Sequence, residues 1–262
     1  MTAIATTPVA TVHPRESAPV SGVHFGRLAV VEARKLVNTR AGRWVLIISL
    51  LASAVTAGAT AAFIDDVPLQ VLFSFAVMAV GMLLPVVAIL SATAEWSQRT
   101  GLVTFALEPR RGRVLAAKAL VAAVAGLVGI VLTLGIAVAT MGIATAFGST
   151  GAWTLDWGIV AGNALVTVLG MLQATAFGFV LLNTPAAIVA YFMIPTVWSL
   201  ATSLSTWFAE NSHWIDMGAA GQPFLAGNFG AEGWLHLGVA SLVWVVLPMA
   251  VGVVRVLKSE IK

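Results

Sequence analysis

The sequence predicts an all-α integral membrane protein with six transmembrane helices, and three observations predict it. The chain is 59% hydrophobic and 10% charged, where a soluble domain carries about a quarter charged residues. Six apolar runs, at about 43–64, 69–92, 114–147, 158–182, 186–204 and 234–255, are each long enough to cross hydrocarbon of roughly 30 Å thickness. All 14 Lys and Arg residues fall on one side of those runs. No run alternates as a barrel strand would. The 24 glycines suit close packing of membrane helices. The absence of cysteine excludes disulfides and thiol chemistry.

Residues 1–23 are rich in Thr, Ala, Pro and Ser and read as a disordered cytoplasmic tail. They lack the basic start and apolar centre of a signal peptide. Residues 24–42 follow as an amphipathic helix before the first span. Phe25, Leu28, Ala29, Ala33 and Leu36 share one face, while Arg27, Arg34 and Asn38 point away. Such a helix lies in the headgroup plane with its basic side toward anionic lipid. Glu32 projects onto the edge of the apolar face. A carboxylate there needs a cation, which Lys35 or Arg40 can supply; in a plain juxtamembrane anchor it points to water instead.

Orientation follows from the charges. Arg15, Arg27, Arg34, Lys35, Arg40 and Arg43 precede the first span. Arg99, Arg110, Arg111, Arg113 and Lys118 lie at the second-to-third connection, and Arg255, Lys258 and Lys262 at the C-terminus. The other side holds Asp65, Asp66, Asp156, Glu210, Asp216 and Glu232. The positive-inside rule then puts both termini in the cytoplasm. Trp153, Trp157, Trp207, Trp214 and Trp234 anchor the outer interface, and Trp44 and Trp96 the inner one.

The segment 95–113, within EWSQRTGLVTFALEPRRGRVLAAK, is charged and broken by proline. The second span runs to about Arg99, and Gly101 loosens it. Leu102 to Leu107 form a short apolar patch around Phe105. Pro109 ends it by removing a donor and disfavouring helix just before itself. Two readings fit. One is a stiff apolar knob that passes force from a soluble partner into two helices. The other is a basic loop bound to lipid headgroups.

The third run is over-long and begins in the cytoplasm. In the fourth span Gly170, Ala174 and Gly178 make a stripe of small residues, read as a packing seam within the chain, with a dimer interface as the second reading. Gln173 flanks it and should find a partner across a helix. Pro85, Pro195 and Pro248 lie inside spans two, five and six and kink them. Thr184 is the expected N-cap of the fifth span, with Pro185 at its first position. Residues 205–233 mix apolar anchors with Gly and Asn and read as two short half-inserted helices or as an interfacial hairpin.

Several function classes are excluded at this level. No charge or histidine lies deep inside a span, so a proton or ion relay has no residues to run on. No Gly-Lys pair exists, so there is no phosphate-cradling P-loop. HExxH is absent, no residue is a candidate catalytic or metal-ligating group, and no nucleic acid partner is indicated. Energy for any transport must come from outside the chain.

Two motifs resemble the permease subunits of ABC-2 type ABC transporters. Glu32-x-x-Lys35-Leu36-x-x-Thr39-Arg40, followed by Trp44, is similar to that family's entry into its first span. Glu95, Thr100, Thr104, Leu107-x-Pro109-Arg110-Arg111 and Lys118 are similar to its coupling-helix region. One departure is that Arg99-Thr100-Gly101 places glycine after threonine, where the family often has the reverse. The resemblance covers nearly all of the chain after residue 24. It implies a type V exporter-like fold with an elbow helix (24–42) and a cytoplasmic coupling helix.

It also implies a transport subunit that is not itself an enzyme and holds no cofactor. A separate ATPase subunit would carry ATP and magnesium, and a second permease copy or paralogue would complete the unit in the cytoplasmic membrane. Glu95, Arg99, Thr100, Thr104, Pro109, Arg111 and Lys118 become coupling positions, Phe105 the docking knob, and Glu32, Lys35 and Arg40 elbow positions. In that family spans two and five line the central path. Here Phe75, Met78 and Met82 share a face of span two, and Tyr191, Trp198 and Thr202 a face of span five. Aromatic and Met surfaces suit a hydrophobic or amphipathic substrate, drug-like or lipid; the same stripes also serve as core or lipid-facing surface. The alternative function is a non-transporting scaffold or immunity-type protein that recruits a soluble partner.

Overall fold

The computed structural model of the chain describes residues 24–98 and 110–258. Among them are only helices and connections: α1 Phe25–Asn38, α2 Arg40–Phe63, α3 Leu69–Ser97, α4 Arg111–Ala146, α5 Trp157–Leu181, α6 Thr184–Leu204, α7 Thr206–Ile215 and α8 Met217–Leu225. A ninth, α9, runs Ala231–Lys258 through a π turn at Leu242–Val246. Six of these (α2 to α6 and α9) are long and apolar enough to span a bilayer. This is a multi-pass membrane architecture. The tail 1–23 and the patch around Phe105 lie outside the described residues, as do Arg99, Thr100, Thr104 and Pro109.

The long helices alternate in direction. Ala61 at the end of α2 and Met141 at the end of α4 share a core with Leu69 and Val160, which begin α3 and α5. At the opposite end Ala92, Phe179 and Val256, late in α3, α5 and α9, meet Leu28 of α1 and Val114 of α4. The first of these ends carries Asp65, Asp66, Asp156, Glu210, Asp216 and Glu232, and the second carries the basic residues together with Glu32 and Glu95. At 36 residues α4 is the longest helix, roughly 54 Å at 1.5 Å per residue, so it overshoots the hydrocarbon.

The centre is α3 against α4 and α5, through Val80, Leu84, Val87, Val121, Met171 and Ala174. The small-residue stripe of α5 serves this contact. A Cβ on Gly178 would stand 2.5 Å from that of Ala92 on α3, so only glycine permits the approach. Ala174 is fully buried, and Gly170 faces the Tyr191 hydroxyl. The stripe thus packs within the chain.

Proline and the caps explain the irregularities. Pro85 and Pro195 sit inside α3 and α6. Pro248 follows the π turn, where the Leu247 N–H reaches back to the Leu242 carbonyl; a π turn absorbs the bond that proline cannot make. The cap of α6 differs from expectation. Asn183, not Thr184, is its N-cap, accepting from the Ala186 N–H at 3.0 Å, and proline is one position later. Thr184 is inside the helix, its hydroxyl 2.6 Å from that of Thr93 on α3. Asparagine caps at least as well as threonine, so the threonine is released for this interhelical bond.

Residues 205–233 contain the two short helices α7 and α8. Phe224 of α8 is fully buried beside Leu237 and Ala240 of α9, with Leu165 and Leu169 of α5 against them. A Cβ on Gly162 of α5 would lie 1.7 Å from the Phe224 carbonyl oxygen, so α8 is seated directly on the α5 backbone. Trp153, Trp157, Trp207, Trp214 and Trp234 are all exposed at this end.

Candidate functional site: a buried ionic cluster at the basic end

The corner between α1 and α2 sets the site. Thr39 is extended; its N–H bonds the Lys35 carbonyl at 3.2 Å, and its hydroxyl accepts from the Gly42 N–H at 3.2 Å. A side chain at Gly42 would meet the Leu36 carbonyl at 2.5 Å, so the tight corner needs glycine. It folds α1 back over the ends of α3 and α4. The buried residues of α1 are Leu28, Glu32 and Leu36, spaced four apart on one face. Glu32 is therefore at the centre of the buried stripe rather than at its edge, and it is 0% exposed. The juxtamembrane reading in which it points to water does not hold.

Its partners are two lysines. Lys118 Nζ lies 2.6 Å from Glu32 Oε2 and 2.9 Å from Glu95 Oε1. Lys35 Nζ lies 2.7 Å from Glu32 Oε1 and 3.4 Å from Glu95 Oε1. Arg40 is exposed and takes no part. Lys118 also donates to the Ser91 carbonyl at 2.9 Å, so each of its three N–H groups has an acceptor. Both Glu32 oxygens are occupied. Oε2 of Glu95 is buried and has no hydrogen-bond partner among the described residues. With both carboxyls ionised the four side chains sum to zero charge, the condition under which buried ions are tolerated.

Burial by itself would raise the Glu32 carboxyl, but the charge of Lys118 and the hydrogen bonds from Lys118 and Lys35 outweigh it and hold it below its ordinary 4.5. Burial would likewise lower Lys35, yet its bond to Glu32 and the charges of Glu32 and Glu95 leave it above its ordinary 10.5. Charge wins over desolvation for both groups, so the ionised forms are the stable ones.

Other basic side chains fasten neighbouring helix ends. Arg111, at the start of α4, donates to the Val256 carbonyl of α9 at 3.2 Å. Arg255 of α9 donates to the Val180 carbonyl of α5. Cations at the last carbonyls of a helix satisfy groups that have no partner within it. The connection 99–109 is thus flanked by α3 and α4, which are bound to α1 by charge, and α4 is bound in turn to α9.

The structure brings together Glu32, Lys35, Glu95 and Lys118 out of the two sequence motifs, with Arg111 nearby. The two stripes expected to line a path between two copies take different places in the single chain. Phe75, Met78 and Met82 are 45%, 68% and 62% exposed on the outside of α3. Tyr191 and Trp198 instead line a cavity inside the chain, opposite Gly81 and Pro85, and Thr202 is not among its walls. Gln173 has no hydrogen-bond partner among the described residues and faces the same cavity.

Sequence reasoning missed Lys118 as the partner of Glu32. The one available signal was a lysine set in an otherwise apolar run, VLAAKALVAA, which demands a buried carboxylate. The cluster couples three chain segments that cannot separate without breaking buried ion pairs. Fold and cluster together define a polytopic helical membrane protein with an ion-locked amphipathic helix at its basic end. No family model matches the chain, and no curated protein matches it.

Proposed function

We propose that the chain is the permease subunit of an ATP-driven ABC-2 type exporter. The observation that carries this is the ionic cluster. It ties α1 to the two helices that flank the 99–109 connection, so a push on that connection moves all three together. On this reading α1 is the elbow helix and the connection is the coupling segment. Glu95, Arg99, Thr100, Thr104, Pro109, Arg111 and Lys118 shape it, and Phe105 is the knob seated in a separate ATPase subunit that holds ATP and magnesium. The basic end faces the cytoplasm with both termini. A second permease copy or paralogue completes the path, with the exposed Phe75, Met78 and Met82 face available to it. The cargo is hydrophobic or amphipathic, drug-like or lipid.

Native-membrane purification of the tagged chain, followed by an ATPase assay on what co-purifies, tests the assignment. The expected result is a nucleotide-hydrolysing partner, and Phe105→Glu uncouples hydrolysis from transport while the protein still inserts. Normal coupling in Phe105→Glu removes the knob. A native complex without ATPase activity favours the scaffold reading over transport.

A further inference from the structure

We infer that the cavity between α3, α5, α6, α8 and α9 is a binding site for a lipophilic organic monocation that carries a hydrogen-bond acceptor. The cavity has a volume of about 400 Å³, within the range that holds a drug-sized ligand. It lies within one chain rather than between copies. Its walls run from Pro85, Gly170 and Gln173 toward Asp216, Met217 and Gly218 at the start of α8.

Three features define the ligand. The first is the charge. Asp216 is the sole charged residue of the lining, and no Lys, Arg or His joins it. Asp216 Oδ1 caps α8 by accepting from the Gly218 N–H at 2.9 Å. That cap already brings a carboxylate to the start of α8, so the end of α8 does not call for a second anion. The carboxylate makes no ion pair among the described residues, and every Lys and Arg of the chain belongs to the basic side. A carboxylate beside low-dielectric walls with no protein cation attracts one from outside.

The second feature is the rings. Tyr191, Phe192, Trp198 and Trp244 all line the cavity, and aromatic faces bind organic cations. The third is unmet hydrogen bonding. Gln173 is 6% exposed with no partner among the described residues, and the Trp198 indole Nε1 is buried without an acceptor. The nearby Trp244 Nε1 does have one, donating to the Ile215 carbonyl at 2.5 Å. An indole N–H is only a donor, so what is missing beside Trp198 is an acceptor such as an ester, ether or carbonyl oxygen. Leaving such a group unpaired at membrane depth is costly. A hydrocarbon chain would satisfy none of these three features.

This deepens the transport reading and rests on it for physiological meaning, but binding can be read on the permease alone. The full chain in phosphatidylcholine nanodiscs, without ATPase or nucleotide, is titrated with rhodamine 6G, a cation bearing an ester, by fluorescence polarisation. Rhodamine B, with the same ring system and a free carboxylate, is the comparator. Wild type binds rhodamine 6G saturably, and rhodamine B at least tenfold more weakly. Asp216→Asn keeps the N-cap, because asparagine caps as well as aspartate, and lowers rhodamine 6G affinity about tenfold, the scale of one desolvated cation contact. Asp216→Glu restores most of it. Gln173→Leu lowers affinity severalfold, and Asp156→Asn, a matching cap on α5 away from the cavity, changes nothing.

The proposal is overturned by no saturable binding in wild type, by equal binding of the two dyes, or by Asp216→Asn within twofold of wild type. If an ATPase co-purifies but the dye does not bind, the cavity assignment fails and the transport reading stands. If the dye binds but no ATPase is found, the reverse holds.

Discussion

The two ends of the helical bundle fasten short helices to it by different physics. At the basic end α1 is held by ions, with Glu32 fully buried between Lys118 at 2.6 Å and Lys35 at 2.7 Å. At the acidic end α8 is held by shape. Phe224 is fully buried, and its carbonyl lies so close to Gly162 that no side chain fits between them. The difference teaches what each contact can do. Close packing of backbone on backbone has one good geometry and fails gradually with added volume. A neutral cluster of four charges is rigid only while complete, because each member makes the burial of the others tolerable. Of the two, the ionic end joins more chain segments, since its four side chains come from α1, α3 and α4.

The largest expected effect comes from removing the cation that bridges both carboxylates. Lys118→Met should destabilise the protein by about 3–5 kcal/mol, the cost of leaving a buried charge unpaired, read as a lowered melting temperature in detergent. The double variant Glu32→Gln/Lys118→Met should recover part of the loss, because the uncompensated carboxylate goes with its partner. A melting temperature equal to wild type in the single variant would mean that the cluster does not hold α1.

Gly162→Ala tests the other end. The added methyl has no room, and overpacking of this kind costs about 1–3 kcal/mol. The loss should be local. Proteolysis between residues 205 and 230 should quicken while α1 stays protected. If α1 loosens as much as α8, the two ends are not independent and the comparison collapses.

The fold was legible because its causes are local. Six apolar runs of sufficient length become six helices whether or not their partners are known, and the spacing of Leu28 and Leu36 shows which face of α1 turns inward, although it set Glu32 at the edge of that face rather than its centre. What the sequence could not show was pairing over distance. Glu32 and Lys118 are 86 residues apart, and no periodicity connects them. Arg40 looked as good a partner as Lys35 until the corner at Thr39 turned it outward. The cap of α6 was misplaced by one residue because Asn183 and Thr184 are both competent, and only the approach of Thr93 shows that the threonine hydroxyl is needed elsewhere. The cavity was hidden for a similar reason. Tyr191 and Trp198 share a helix face on any reading, but which helix they face depends on how α6 leans against α3.

The smallest effect is the response to pH, and it separates the two ends by size. The Glu32 carboxyl titrates below its ordinary 4.5, so its contribution is present above that value and is lost as pH falls through the lower, folded one. The Lys35 ammonium titrates above its ordinary 10.5, so its contribution is present below that value and is lost as pH rises through the higher one. Docking of α1 is therefore flat between these limits and weakens outside them. Protonation leaves a neutral carboxyl that still hydrogen-bonds, so the loss is smaller than that of deleting Lys118. Melting curves of wild type and Glu32→Gln should be separated at neutral pH and converge as the medium is taken below 4.5. At the acidic end Asp66 is also held below its ordinary 3.8, first by the Thr150 N–H, but it is fully exposed and solvent screens it. Wild type and Asp66→Asn should differ little at any pH, so a convergence as large as that of Glu32→Gln would erase the distinction between a buried ion lock and a surface cap.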